Sequence, residues 1–377
     1  MKKTLFILLS ALLYVSDASA ANPADPNATP ITRTVLNYLT SLPSLTSKRV
    51  VSGAMADDPN VFSRDVQTIF TSTGKWPGML GGQYVDPNCG SPCSGATQEN
   101  INNFTMLQNY WGLGGLLTIV YSPTNPKTNG QITDTDFTSS DMSSLLTNGT
   151  TLNTRWLSNL DGLATWLGQF QTVGIPILFR PLHEMNGGWF WWGSAGGITT
   201  AQYQQLWQLT FNYLTNTKGL HNLVWVYSSN AETGNYTAYY PGSAYVDIVG
   251  LDIYLPGVSG PISLAGGYQQ LTDPSIDKPF AITEFGPVIP YDPNRLTTAP
   301  QNYDGLITGI KQNMPNTIYW VSWTGAWGMG VGSNGVQHLN VSQLLSDSWV
   351  VNRGDITLGS QPPPTKIPSA HTGLRVN

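Results

Sequence analysis

Two glutamates stand out by where they fall. Glu184 follows the apolar run Ile175-Pro176-Ile177-Leu178-Phe179 and Arg180, inside Pro181-Leu182-His183-Glu184-Met185-Asn186-Gly187-Gly188-Trp189-Phe190-Trp191-Trp192-Gly193. Glu284 closes the run Phe280-Ala281-Ile282-Thr283 and precedes Phe285-Gly286-Pro287. A pair of carboxyls at the mouth of a cleft suits cleavage of a glycosidic bond. One must be protonated near neutrality to help the leaving oxygen depart, and the other must be ionised to attack or to activate water. Glu184, walled by Trp189 and its neighbours, is the expected proton donor, because desolvation favours the neutral carboxyl. Glu284 is then the expected nucleophile. His183, beside Glu184, and Arg180 are placed to hold an anion ionised and oriented by charge-assisted hydrogen bonds.

Other chemistries lack their groups. His183-Glu184 begins a His-Glu-x-x-His zinc pattern, but position 187 is glycine. The remaining histidines (221, 338, 371) are scattered, and no serine sits in a Gly-x-Ser-x-Gly elbow. No metal or cofactor is expected. Aromatic faces stack on the apolar faces of sugar rings, and Trp189, Trp192, Tyr254, Trp323 and Trp327 all fall near expected strand ends. Trp156, Trp166 and Trp207 lie in helical stretches and read as core. Tyr254 is placed to donate its phenol to the nucleophile. Asp252 reads equally as a ligand of a sugar hydroxyl or of a neighbouring loop.

Short β-branched runs alternate with amphipathic stretches, as βα units around a parallel sheet require. Strands are expected at Arg49 to Ser52, Gly78 to Gln83, Gly115 to Tyr121, Ile175 to Arg180, Leu223 to Tyr227, Val246 to Asp252, Pro279 to Thr283 and Thr317 to Trp323. Helices are expected at Asn60 to Phe70, at Leu152 to Thr172, with Leu157, Leu160, Leu163, Leu167 and Phe170 at helical spacing, and at Thr200 to Asn216. The pattern predicts an α/β fold, a single (β/α)8 TIM barrel, whose active site lies at the carboxyl ends of the strands. A doubly wound sheet would need a strand followed by Gly-x-Gly-x-x-Gly, whereas Gly112 to Gly115 precedes its strand.

The chain has 377 residues, of which 40% are hydrophobic, 11% aromatic and only 10% charged, enough for a large core. Its net charge of −5 leaves no electrostatic footprint for nucleic acid. Residues 1–20 run from Lys2-Lys3 through apolar Leu5 to Val15 to Ala18-Ser19-Ala20 and read as a secretory leader. No later segment offers ~18 uninterrupted apolar residues, so no membrane contact is expected after cleavage. The catalytic domain is expected over 21–358, followed by a Pro-rich tail at 359–377. Cys89 and Cys93 are the only cysteines and suit a local disulfide better than a zinc site. Arg353-Gly354-Asp355 spells an adhesion tripeptide, yet beside Trp349, Val350 and Val351 it reads as the last helix or its approach.

The run Arg180 to Gly193, with Gly250-Leu251-Asp252-Ile253-Tyr254, Ile282-Thr283-Glu284-Phe285-Gly286 and Tyr319-Trp320-Val321-Ser322-Trp323, resembles glycoside hydrolase family 26. That resemblance implies a secreted, retaining glycosidase on a (β/α)8 barrel, an endo-β-1,4-mannanase in the first instance. Glu184 matches the acid/base and Glu284 the nucleophile. His183 and Tyr254 match residues hydrogen-bonded around the nucleophile, while Arg180, Trp189 and Trp323 match substrate-site residues. Where mannan-active relatives often end the third strand in Trp-His, this chain has Tyr121-Ser122. The departure keeps mixed-linkage β-glucan and β-1,3-xylan, also substrates in the family, behind mannan as alternatives. The expected partner is a β-linked polysaccharide and the expected state a monomer. A carbohydrate-binding protein without chemistry is the competing class, and two poised carboxyls argue against it.

Overall fold

Runs of apolar and β-branched residues bounded by loops become strands buried on both faces, as a parallel sheet wrapped by helices demands. The computed structural model describes residues 22–87, 95–256, 262, 265–288, 300–330 and 337–358. The leader, Cys89, Cys93 and the tail at 359–377 lie outside the described residues. The strands are β1 (Gly53–Met55), β2 (Met79–Gln83), β3 (Leu116–Tyr121), β4 (Ile177–Pro181), β5 (Leu223–Asn230), β6 (Ile248–Pro256), β7 (Phe280–Val288) and β8 (Thr317–Ser322). Each pairs in parallel with the next, and β8 returns to β1 through Ser322 opposite Ala54. The ring closes, giving the expected eight-stranded barrel. A short strand, Val50–Val51, leads into β1 and pairs with Val350–Val351.

The helices follow local chemistry. In Pro30–Ser41 the Thr29 side chain caps the first turn, proline occupies the first position, and Val35, Leu36 and Leu39 face inward. Thr151–Thr172 starts at the Thr150 cap and buries Trp156, Leu160, Leu163, Leu167 and Phe170, while Leu157 is only partly covered. Thr200–Asn212 opens with a capping box between Thr199 and Gln202 and continues through a π-helical turn to Thr217. Trp156, Trp166 and Trp207 are core residues, as expected. No described helix is long and apolar enough to cross a membrane. Arg353–Asp355 is a 3-10 turn rather than a last helix. There Arg353 stacks over Trp76 at 4.6 Å, and Asp355 pairs with Lys48 at 2.7 Å.

Three strands run past their expected ends, β5 to Asn230, β6 to Pro256 and β7 to Val288. The residues added to β5, Ser228, Ser229 and Asn230, are polar, so there the apolar pattern stops before the strand does, whereas β6 and β7 add mostly apolar residues around Tyr254 and Glu284. All of them remain in the sheet through its ladder, which pairs Ser228, Ser229 and Asn230 with Gly250, Leu251 and Asp252, and Asp252 to Pro256 with Glu284 to Val288. Ser228 Oγ also lies 2.7 Å from Thr283 Oγ1. The register between β6 and β7 slips here, with Leu251 opposite Ile282 but Asp252 opposite Glu284. Thr283 is thus one residue extra, a β-bulge. Alternation along β7 would place Glu284 on the outward face of Ile282, and the bulge returns it to the inner face shared by Asp252.

Gly250 makes room for this. A Cβ there would lie 2.6 Å from Thr283 Cγ2 and 2.8 Å from its Oγ1. Replacing Gly250 by alanine is expected to cost about 1–3 kcal/mol of stability, read from the urea midpoint at unchanged m. It should also lower kcat through displacement of Glu284. Wild-type stability and activity in that variant would show that the bulge tolerates a side chain.

Candidate active site

The inner face of a strand carries every second residue, so the ends of β4, β5 and β6 point Arg180, Ser228, Asn230, Asp252 and Tyr254 toward one space, and the bulge at Thr283 brings Glu284 of β7 to the same face. Arg180 sits at the centre of that space and is 2% exposed. One amino group donates to Asp252 Oδ2 at 2.9 Å, and the other donates to Glu284 Oε1 in a short contact. Tyr254 donates its phenol to Glu284 Oε2 at 2.6 Å. Asp252 is fully buried, which resolves its sequence ambiguity: it holds Arg180 rather than a sugar or a loop.

Glu184 arrives from the loop after β4. Leu182 and Glu184 both adopt left-handed backbone, with φ of 54° and 53°, a conformation costing roughly 1–3 kcal/mol per non-glycine residue. Hydrogen bonds hold it in place. Leu182 N donates to Tyr121 O, Glu184 N donates to Ser228 O at 2.9 Å, and the Tyr203 phenol donates to Leu182 O at 2.7 Å. The Glu184 carboxylate accepts from the Trp189 indole at 2.8 Å and from the Asn230 amide at 2.9 Å. Gly187 lies under the Trp189 ring, where a Cβ would come within 2.4 Å of ring carbons. Trp189 stays 37% exposed, leaving an aromatic surface at the site, and Trp323 is half-buried after β8.

Three expectations need correction. Trp192 is fully buried, stacked on Phe190 at 4.5 Å, and its indole donates to His183 O at 2.8 Å. It shapes the loop and offers no face to a ligand. Arg180 likewise has both amino groups committed to carboxylates and no surface for substrate. His183 Nε2 is 3.7 Å from Glu284 Oε1, too far for a hydrogen bond. Burial, followed by the Arg180 charge, holds the imidazole well below its ordinary pKa, so it is neutral and adds no charge to the nucleophile's surroundings. Asn230 escaped the sequence reading because Ser228-Ser229-Asn230 looks like a turn. Its only signal was its place just after a strand.

Burial pushes both Glu184 and Glu284 above the ordinary carboxyl range, Glu284 at least as far as Glu184, and the Asp252 charge adds to each. Against this, Arg180 and Tyr254 favour the anion at Glu284, and Asn230 and Trp189 favour it at Glu184. His183, Asp252 and Glu284 bring ligand atoms within 4.8 Å of one another, as a metal site would. The Arg180 guanidinium already supplies the cation between the two carboxylates. Replacing Arg180 by methionine is expected to destabilise the fold by about 3–5 kcal/mol, because two buried acids lose their partner. Their pKa values then rise further above the unfolded ones, so the folded state binds more protons and stability falls as pH rises. The loss of Tm should be larger at pH 8 than at pH 5, and equal losses would contradict this reading.

The sequence pattern of glycosyl hydrolase family 26 matches residues 24–355. Mannan endo-1,4-β-mannosidase A and B of Caldalkalibacillus mannanilyticus is 36% identical over 371 residues, which is 96% of this chain and 68% of that protein. A mannan endo-1,4-β-mannosidase of Bacillus subtilis is 34% identical over 372 residues, 94% of this chain and 95% of that one. The solved structure of a Bacillus subtilis mannanase superposes with a TM-score of 0.75 at 33% identity, covering 91% of this chain and 99% of the other. Barrel and sequence agree along nearly the whole length: the chain belongs to glycosyl hydrolase family 26 and is a glycosidase.

Proposed function

We propose that this protein is a secreted endo-β-1,4-mannanase that cuts mannan, galactomannan or glucomannan with retention of configuration. The observation that carries the proposal is the unequal company of the two glutamates. Glu284 faces a guanidinium and a phenol, whereas Glu184 faces only a neutral indole and a neutral amide. A cation and a short phenol bond stabilise a carboxylate more than neutral N–H donors do. Near neutrality the pair shares one proton, and these partners assign it to Glu184. The substrate preference rests on the names of the relatives, and the leader at 1–20 supports export.

With a sugar ring against Trp189 and Trp323, a Glu284 oxygen attacks the anomeric carbon while the bond to the leaving oxygen breaks. Glu184 gives that oxygen its proton. The departing chain leaves a glycosyl ester on Glu284. Glu184, now a carboxylate, takes a proton from water as that water attacks the same carbon and releases Glu284. Two inversions restore the starting configuration. Arg180 and Tyr254 receive the returning negative charge without moving, which is electrostatic preorganisation.

The test is digestion of galactomannan, glucomannan, barley glucan and β-1,3-xylan, with the anomer of the first product followed by NMR. Mannan cleavage with the β-anomer appearing first is expected. An α-anomer would contradict retention, and cleavage of barley glucan or β-1,3-xylan alone would redirect the substrate. Glu184→Gln should lower kcat/KM by ~10²–10⁴ and remove the alkaline limb of its pH profile. In the wild type that limb should lie above the ordinary carboxyl range. Glu284→Gln should abolish turnover, and full activity in it would refute the nucleophile.

A further inference from the structure

Asn186 lies two residues beyond Glu184, yet its side chain turns away to the end of β5. Its amide nitrogen donates to Asn230 O at 2.8 Å and to Gly234 O at 2.7 Å, and its oxygen accepts from Asn230 N at 2.8 Å. Asn186 is 8% exposed and Asn230 6%. The Asn230 side chain is oriented in turn, because its oxygen accepts from Glu232 N at 2.8 Å. With that oxygen taken, its NH2 group faces Glu184 Oε1 at 2.9 Å. We propose that Asn186 is a positioning residue for the acid/base step, clasping the end of β5 so that the Asn230 amide always donates to the Glu184 carboxylate.

The loop that carries Glu184 is thereby tied to the strand that carries its hydrogen-bond donor. The backbone link from Glu184 N to Ser228 O fixes one side of the clasp, and the Asn186 amide fixes the other. A fixed donor matters most when Glu184 is ionised, which is the state it reaches after giving up its proton and must hold while it accepts one from water. The remaining groups around Glu184 are Arg180 on β4, Asp252 and Tyr254 on β6, Glu284 on β7 and the Trp189 indole. The hydrogen bonds of the Asn186 side chain run to Asn230 and Gly234 and to none of these groups, so its side-chain link to Glu184 passes through Asn230.

The inference rests on Glu184 as acid/base, and the experiment separates the two. The pH dependence of kcat/KM on galactomannan is measured for wild type, Asn230→Ala, Asn186→Ala and the double variant. Without a held donor the carboxylate is less stable and Glu184 keeps its proton to higher pH. Asn230→Ala should therefore move the alkaline limb up by about one pH unit and lower kcat roughly tenfold. Asn186→Ala should move it in the same direction at unchanged KM, and the double variant should match Asn230→Ala alone. A fall in rate at every pH with the limb unmoved would make Asn186 merely structural and overturn the proposal, as would a shift that adds in full to that of Asn230→Ala. If Asn186→Ala does not fold, Asn186→Ser carries the same test, because its hydroxyl is too short to bridge both carbonyls. If Glu184→Gln keeps the wild-type alkaline limb, the acid/base assignment fails instead.

Discussion

One guanidinium shared between two buried carboxylates is the constraint around which this barrel's mouth is built. Arg180, Asp252 and Glu284 are all nearly or wholly removed from solvent. Taking each ion out of water costs several kcal/mol, which only close pairing offsets. One cation cannot balance three acids, and Glu184 is the third. The surplus negative charge is relieved when the group with the weakest anion stabilisation keeps a proton. In the proposed mechanism that group is Glu184, which gives a proton donor beside an ionised partner, the division of labour that glycosidic cleavage needs.

The backbone is shaped to deliver these groups. Strand alternation alone would give Arg180, Asn230, Asp252 and Tyr254 a common face, but it would turn Glu284 outward, and the bulge at Thr283 reverses that. On the opposite side of the cleft, Glu184 is reached through two residues of left-handed backbone. The buried tryptophans hold that loop. The Trp191 indole donates to Pro123 O and the Trp192 indole to His183 O, both at 2.8 Å. Local strain at the site is thus borne by packing and hydrogen bonds outside it.

The barrel was legible because apolar runs and amphipathic stretches alternate at the right lengths, and the two glutamates drew notice because Glu284 ends an apolar run and Glu184 lies in the loop just after another. What escaped has physical reasons. The end of β5 turns polar at Ser228-Ser229-Asn230 where it enters the site, so a hydrophobic pattern cannot mark it, and Asn230 was lost with it. The bulge is a relation between two strands and leaves no trace in either one. Trp189 and Trp192 sit in an irregular loop without periodicity, so nothing in the order of residues says which is half-exposed and which is core. Arg180 was recognised as important, but its role as a buried tie between Asp252 and Glu284 depends on a pairing that only folding creates.

The central claim is that Glu284, held ionised by Arg180 and Tyr254, forms the bond to the sugar. The most direct measurement is to inactivate the protein with a 2-deoxy-2-fluoro-β-mannosyl oligosaccharide carrying a fluoride leaving group, digest it, and locate the added mass by peptide sequencing. A glycosyl ester on Glu284 is the result the account predicts. A label on Glu184 or on any other residue would contradict it.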